Sequence, residues 1–438
     1  VNITSSYSVE IKRCPCGLKE TQRVFRQAVS YLIAVVDHEW SAIESERSAN
    51  RRMMVIEHLV HTTKANVARY DFDDRFYKFP SYLRRSAIHM AVGAVSSHKS
   101  NLHNWENNGK QGKVPKLQAD RFAAPTFYKI DMYKPGEEPD SVYLKLFVRN
   151  DWVWVKVRLL KTDVQYLQKY WSHCAPSAPT LEKRYEKYYL RFAFTENIKL
   201  TDAPVSEQRI CAVDLGLNSD AVCSIMASNG TVLARRFIDF PSEKDHLGHV
   251  LNRIKRFQRE HGSQNAHSFW AYAKQLNDEL AKKVSSAIVE FAAQHNADCI
   301  VFEYLDFRRK KVSGSKAQKL RMWRKNGIQD YAEHKAHRCG IRVSRVCAWG
   351  TSRLAFDGSG ELVRDAKNRA LAVFRSGKQY NADLNASYNI GARYFIREII
   401  KPLSVKAGSA LSAKVPEVRR RTSCTLDTLL RVNAALAA

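Results

Sequence analysis

The stretch Ile210-Cys211-Ala212-Val213-Asp214-Leu215-Gly216-Leu217-Asn218 decides how the second half of the chain folds. Four apolar residues in a row, without polar alternation, read as a strand buried on both faces. The strand ends on a carboxylate, and a glycine turn follows. An acid at the end of a buried strand loses solvation unless a cation or a donor meets it. Cys299-Ile300-Val301-Phe302-Glu303-Tyr304-Leu305 repeats the arrangement. A third acid, Asp383, stands at the start of an apparent helix in Asn381-Ala382-Asp383-Leu384-Asn385-Ala386-Ser387-Tyr388-Asn389-Ile390. Each acid alone reads as a turn or helix-cap residue. Strand–acid–turn, strand–acid and helix–acid in that order are far more specific. Three hard oxygen ligands brought together suit one or two Mg²⁺ ions, with Mn²⁺ as a substitute. Such ions can activate water and stabilise the leaving oxygen of a phosphodiester.

Outward from these acids, the second half reads as α/β from Gln208 onward. Residues 265–297 form a long helical pattern with Tyr272, Leu276, Leu280, Val284, Ile288 and Phe291 along one side. It leads directly into the Glu303 strand. A second helical stretch precedes IRVSRVCAW (341–349), another strand. After Pro402 come VRRRTSC and the helix-like LDTLLRVNAALAA. This tail is expected to pack on its own core, with a second copy as the alternative. Monomer and homodimer both stay open.

The first half has a different rhythm. Residues 4–13 alternate as a strand does. Residues 18–105 are mostly helical, with Val24, Ala28, Tyr31, Leu32 and Val35 at helical spacing, and likewise Leu83, Ile88, Ala91, Val92 and Val95. NNGKQGKVP (107–115) is a turn or linker. TFYKIDMY, SVYLKLFVR, DWVWVKVRLL and KRYEKYYLRFAF are short alternating runs, which suggest a small barrel or sandwich. The first strand would complete it, with the helical block as an insertion. Trp152, Trp154, Tyr185, Tyr188 and Tyr189 alternate with Lys156, Arg158, Lys183, Arg184 and Lys187. Base stacking plus phosphate contact needs that mixture. One core face and one solvated face would produce the same pattern.

The 438 residues carry 71 Lys and Arg against 44 Asp and Glu, a net charge of +27. Such an excess repels itself until a polyanion neutralises it, and nucleic acid is the commonest one. A hydrophobic content of 45% argues against general disorder. No apolar run reaches the roughly 20 residues that cross a bilayer, so no membrane partner is expected. The alternating start gives no expectation of a secretory signal. Nine scattered cysteines form no disulfide framework, which points to a reducing cytoplasm. Cys14 and Cys16 read as incidental cysteines. Candidate nucleic-acid contacts are Arg84 and Arg85 of the helical block, beside Arg51 and Arg52, and Arg253 and Arg256 of RIKRFQRE. The basic stretch 308–325 follows Glu303 and adds Arg308, Arg309, Lys310, Lys311, Arg321 and Arg324. A basic loop beside a metal centre is placed to draw in a phosphate backbone.

Here the motifs meet a known pattern. VDLGLN, VFEYL and NADLNASYNI resemble the split RuvC nuclease motifs of the TnpB family, transposon-encoded RNA-guided DNA nucleases related to miniature type V CRISPR effectors. LEKRYEKYYLRFAF is similar to that family's last barrel hairpin. The resemblance implies that Asp214, Glu303 and Asp383 are the catalytic, metal-holding carboxylates. It implies a multi-domain α+β chain: a first barrel strand (1–17), a helical recognition insert (18–110), the rest of a wedge-like β-barrel (111–205), an RNase H-like α/β RuvC domain (206–400) and a tail (401–438). Guide RNA and target DNA are the implied partners, with a short flanking DNA motif read by the protein. A prokaryotic, nucleoid-associated cytoplasmic location follows. The chain departs from the family in its insert, 308–375, which lacks two Cys-x-x-Cys pairs. Cys339, Cys347, His334 and His337 do not have ribbon spacing, so no zinc is expected there or elsewhere. Trp349, Leu354, Phe356 and Phe374 should hold the insert instead. The rivals to a guided nuclease are a guided repressor that binds without cutting, an unguided RuvC-like nuclease or transposase, and a plain RNA-binding protein.

Overall fold

In the computed structural model the alternating start forms β1 (Asn2–Glu10), burying Ile3, Ser5 and Val9 on one side. The structure describes all residues except 13–14, 118–122, 217–218, 263–265, 305–324, 366–367, 369 and 438. The chain divides into two units, Asn2–Glu196 and Val1 with Asn197–Ala438.

In the first unit Gly17 reverses the chain at φ 98°, where a Cβ would lie 2.5 Å from Val148 Cγ2. Five helices follow: α1 (Leu18–His38), α2 (Trp40–Ile43), α3 (Ala49–Val60), α4 (Phe72–Arg75) and α5 (Ser81–Asn107). The long ones form because Leu18, Phe25, Ala28, Leu32 and Val36 share one face of α1, and Leu83, Ala87, Ile88, Ala91 and Val95 one face of α5. Then come β2 (Tyr133–Pro135), β3 (Ser141–Val148), β4 (Asp151–Arg158), α6 (Lys161–Trp171), β5 (Thr180–Arg184) and β6 (Lys187–Asn197). Helices and strands bury their apolar faces in one continuous core.

The expected barrel is not a closed ring among the described residues. The strands make two three-stranded sheets, β2-β3-β4 and β1-β6-β5, linked by a single bridge at Ile11–Leu159 just beyond β1 and β4, while Thr126, outside both sheets, bridges to Thr180 of β5. The reason lies in KTDVQYLQKYW, where Val164, Leu167 and Trp171 recur at helical spacing. That run folds as α6 at the end of β4 and interrupts strand pairing. Of the aromatic stripe, Trp152 and Tyr188 are buried, whereas Trp154 and Tyr185 face out, Tyr185 with 90% of its surface exposed.

The second unit is organised by two buried strands. Its elements are β7 (Arg209–Asp214), β8 (Ala221–Ala227), β9 (Val232–Ile238), α7 (Pro241–His261), α8 (His267–Gln294), β10 (Cys299–Tyr304), α9 (Lys325–Arg338), β11 (Arg342–Cys347), β12 (Val363–Arg364), β13 (Leu371–Val373), β14 (Gln379–Asn381), α10 (Ala382–Ile400), α11 (Val405–Lys414) and α12 (Leu426–Ala437). The main sheet has the order β11-β10-β7-β8-β9. β7, β8 and β9 form an antiparallel meander, and β10 and β11 extend it in parallel with β7. The two-residue period of a strand sorts its side chains. Cys211, Val213, Ile300 and Phe302 pack on the side of α8 and α9, and Ile210, Ala212, Cys299 and Val301 on the side of α10. Helices on both faces explain why these runs carry no polar alternation.

Two expectations shift here. Tyr272 is exposed, because the inward stripe of α8 is the smaller set Ala273, Ala281, Val284 and Ile288. Trp349 is 69% exposed and does not hold the insert. Phe356 does, edge-on to Phe374 at 5.4 Å and to Tyr380 at 5.1 Å, with Ala355 and Ala372 beneath. The tail helix α12 packs on its own unit through Leu426, Leu429 and Val432. No described helix is long and apolar enough to cross a membrane.

Helix α10 lies so close to the sheet that a Cβ at Gly391 would sit 2.3 Å from Met226 Sδ and 3.3 Å from Ala212 Cβ. Gly391→Ala is therefore expected to destabilise the protein by about 1–3 kcal/mol through overpacking. Combining it with Met226→Ala should recover part of that loss in urea denaturation. Full additivity of the two penalties would refute the contact.

Candidate functional site

Strand periodicity delivers the first two acids. Asp214 continues the Ile210–Ala212 side of β7, and Glu303 the Cys299–Val301 side of β10, so both face α10. The parallel register pairs Phe302 with Val213, and the next residues along the adjoining strands are Glu303 and Asp214. Asp383 enters from the first turn of α10. Asn381 caps that turn, its Oδ1 accepting from the backbone N–H of Asp383 at 3.0 Å and of Leu384 at 2.9 Å. The three acids are electrostatic neighbours. Burial, then Glu303 and then Asp383 push the Asp214 carboxyl well above its usual range, against a smaller opposing pull from Arg364. Burial likewise raises Asp383, again opposed by Arg364. Glu303, only 8% exposed, is raised by burial and held back by the Thr351 hydroxyl and the Arg393 guanidinium.

The side chains that hold this cluster were not singled out from the sequence. Thr351 donates its hydroxyl to Glu303 Oε1. Gln329 Nε2 donates to the Glu303 carbonyl at 3.0 Å. Asn385, Asn389 and Arg393, spaced four residues apart on α10, are all buried. Both asparagine amides donate to the carbonyls of Thr351 and Leu354. Arg393 donates to four carbonyls, those of Cys347 at 2.7 Å, Trp349 at 2.8 Å, Thr422 at 2.8 Å and Cys424 at 3.1 Å. The polar face of α10 thus clamps the loop that carries Thr351. The signal was present as buried-type polar residues at helical spacing within NADLNASYNIGAR. Arg364, exposed on β12, is the cation that Asp214 and Asp383 feel, and it too was missed.

The predicted basic contacts fare unevenly. Arg84 is 4% exposed and spans Glu57 at 3.2 Å and Asp73 at 3.8 Å, so it is an internal ion pair, not an open cation. Arg85 shares Glu57 at 3.0 Å from a more open position. Lys156 pairs with Glu137, Arg158 with Glu138, Lys183 with Glu186 and Arg184 with Glu182. Exposed pairs of this kind are weak and exchangeable, so these cations remain accessible to phosphate. Arg253 and Arg256 are exposed on α7, Arg253 lying 5.3 Å from the Phe269 ring centroid. Arg308, Arg309, Lys310, Lys311, Arg321 and Arg324 lie outside the described residues.

Three acids with raised affinity for protons, at the end of a sheet and in the capped first turn of a helix, could hold a hard divalent cation. The α+β fold resembles that of a type V CRISPR effector, Cas12f1. The chain aligns with the Cas12f1 chain of a Cas12f1–sgRNA–target DNA complex at a TM-score of 0.52 and 14% identity, over 89% of this chain and 98% of that one. CasPhi-2 bound to crRNA and phosphorothioate DNA aligns at a TM-score of 0.48 and 9% identity, over 90% and 91%. Residues 5–148 match the model of the Aq_aa04 family. An uncharacterized protein aq_aa04 of Aquifex aeolicus (strain VF5) is 29% identical over 126 residues, 28% of this chain and 67% of that protein.

Raised folded-state pKa values have a definite sign. Above the ordinary carboxylate range near about 4, the native cluster retains protons that the unfolded chain has released. Stability therefore falls as pH rises through the raised values, until a cation takes the protons' place. Without divalent metal, Asp214→Asn is expected to raise the thermal midpoint by about 2 °C at pH 7.5 and by less at pH 5. Mg²⁺ should raise the midpoint of the parent more than that of the variant. Equal responses to pH and Mg²⁺ would show that the three acids do not interact.

Proposed function

We propose that the protein is an RNA-guided DNA endonuclease that cuts by metal-dependent hydrolysis at a RuvC-like centre. The observation that carries this reading is the convergence of Asp214, Glu303 and Asp383, from two neighbouring strands and one helix, on one face of the β11-β10-β7-β8-β9 sheet. That strand order, a meander extended by two parallel strands, supports the RNase H-like reading. Support for guidance comes from the shared fold with Cas12f1, whose structure contains a single-guide RNA and target DNA. The motif resemblance to TnpB and the net charge of +27 point the same way.

In this reading Asp214, Glu303 and Asp383 would hold Mg²⁺, or Mn²⁺ in its place. The bound ions would supply Lewis acidity to the phosphodiester and a more acidic water. Thr351 keeps Glu303 in one orientation, so the carboxylate does not have to reorganise. Arg364 lies near enough to Asp214 and Asp383 to oppose their raised pKa values, and its guanidinium would suit a phosphate drawn toward them. Exposed cations such as Arg253 and Arg256 would contact backbone phosphates, while guide pairing supplies sequence specificity and the protein reads a short flanking motif.

The test begins with purification from a host that co-expresses the transcripts flanking the protein's gene, followed by sequencing of any bound RNA. The complex is then given a plasmid with a matching target and Mg²⁺. The expected result is a discrete RNA, cleavage that RNase pretreatment abolishes, and a loss of about a hundredfold or more in Asp214→Ala with target binding retained. Cleavage unaffected by RNase would replace guidance with an unguided nuclease. Intact plasmid with the parent complex would remove the nuclease reading.

A further inference from the structure

We propose that His173, Cys174 and Glu196 form a binding site for a zinc-class divalent cation in the first unit, separate from the carboxylate centre and contrary to the zinc-free expectation from the sequence. The ligand atoms of these three residues all lie within 4.8 Å of one another. His173 Nε2 already contacts Glu196 Oε1 at 3.0 Å. In a tetrahedral zinc site, bond lengths of about 2.0–2.3 Å put ligand atoms roughly 3.3–3.7 Å apart. Small side-chain rotations therefore close the gap. The ion would enter between imidazole and carboxylate and draw in the thiolate.

The donor chemistry selects the metal. One nitrogen, one sulfur and one oxygen suit Zn²⁺ and its neighbours, whereas Mg²⁺ prefers oxygen alone. Three protein ligands leave a fourth position for water, because His173 is exposed while Cys174 and Glu196 are half-buried. The backing is rigid. The Trp171 ring stacks on His173 at 5.9 Å and 19°, and is packed in turn on Phe194 and Tyr7. The backbone N–H of Cys174 donates to the Trp171 carbonyl at 3.1 Å. Ser177 fastens the following loop to β6 through its backbone N–H to the Ala193 carbonyl at 2.8 Å and through its hydroxyl, which accepts from Ala193 N–H at 3.2 Å. The end of α6, the loop and the end of β6 are thus held together before any ion arrives. A bound ion would lock the end of α6 to the end of β6. The ligands were hidden in the sequence because an adjacent His-Cys pair is completed by an acid 23 positions away.

The experiment uses the full chain, stripped of metal and titrated with Zn²⁺ and with Co²⁺ as a spectroscopic substitute. The parent is compared with His173→Ala, Cys174→Ser and Glu196→Gln, each checked by circular dichroism for unchanged folding. The expected result is one more zinc per chain in the parent than in Cys174→Ser. A thiolate-to-cobalt charge-transfer band should be lost in that variant. Zn²⁺ affinity should fall about tenfold or more in His173→Ala and Glu196→Gln. Glu196→Gln retains the hydrogen bond to His173, so a merely structural pair would leave zinc binding unmoved. Equal zinc content and affinity in parent and Cys174→Ser, or no zinc in the parent, overturns the proposal. Because the readouts are metal content and spectra, they stand apart from cleavage by the carboxylate centre.

Discussion

Three carboxylates of like charge are held together against their own repulsion, and the second unit is built around that constraint. Left to themselves, Asp214, Glu303 and Asp383 would separate or keep their protons. What prevents separation is a sheet buried on both faces. The apolar residues of β7 and β10 pack against α8 and α9 on one side and α10 on the other. The strands cannot rotate to release an acid without exposing a core residue, because the two faces alternate residue by residue. The capped first turn of α10 cannot retreat either, since Gly391 lets the helix seat directly on Ala212 and Met226. Tight packing supplies the force, and the electrostatic strain at the sheet's end is where that force is applied.

Much of this was legible in the order of residue types. Asp214 and Glu303 each end an uninterrupted apolar run, and such a run has one physical explanation, burial on both faces. The acid's position at its end then follows from chain geometry. The clamp was harder to see. Asn385, Asn389 and Arg393 look like ordinary polar helix residues until the loop they grip is in place, and that loop lies more than thirty positions earlier in the chain. Thr351 carried no local signal. In the first unit, alternation named most of the strands, but TFYKIDMY (126–133) is largely bridge and turn and only Tyr133 enters β2; nor could alternation tell a closed barrel from two sheets, because closure depends on pairing between distant segments. The helix α6 hid inside the same stretch. Arg84 was judged by its neighbours in sequence, whereas its burial is set by Glu57 and Asp73 across the helical block.

The distribution of charge has its own logic. Many of the predicted cations in the first unit are already matched with carboxylates, and the pairs are mostly exposed. Such pairs add little to stability but keep long side chains extended in defined directions. A phosphate backbone can replace the acid as partner with little reorganisation. Arg393 is the opposite case: its guanidinium is consumed by four backbone carbonyls and has no capacity left for a ligand. Lysine could not reproduce that fork. The same residue type therefore serves two purposes that only burial distinguishes.

The clamp of Asn385, Asn389 and Arg393 also separates persistence from chemistry. Its hydrogen bonds go to main-chain carbonyls and not to the acids, which it touches only through the charge of Arg393 beside Glu303. A lineage that lost one of those acids would relieve repulsion and keep its architecture intact.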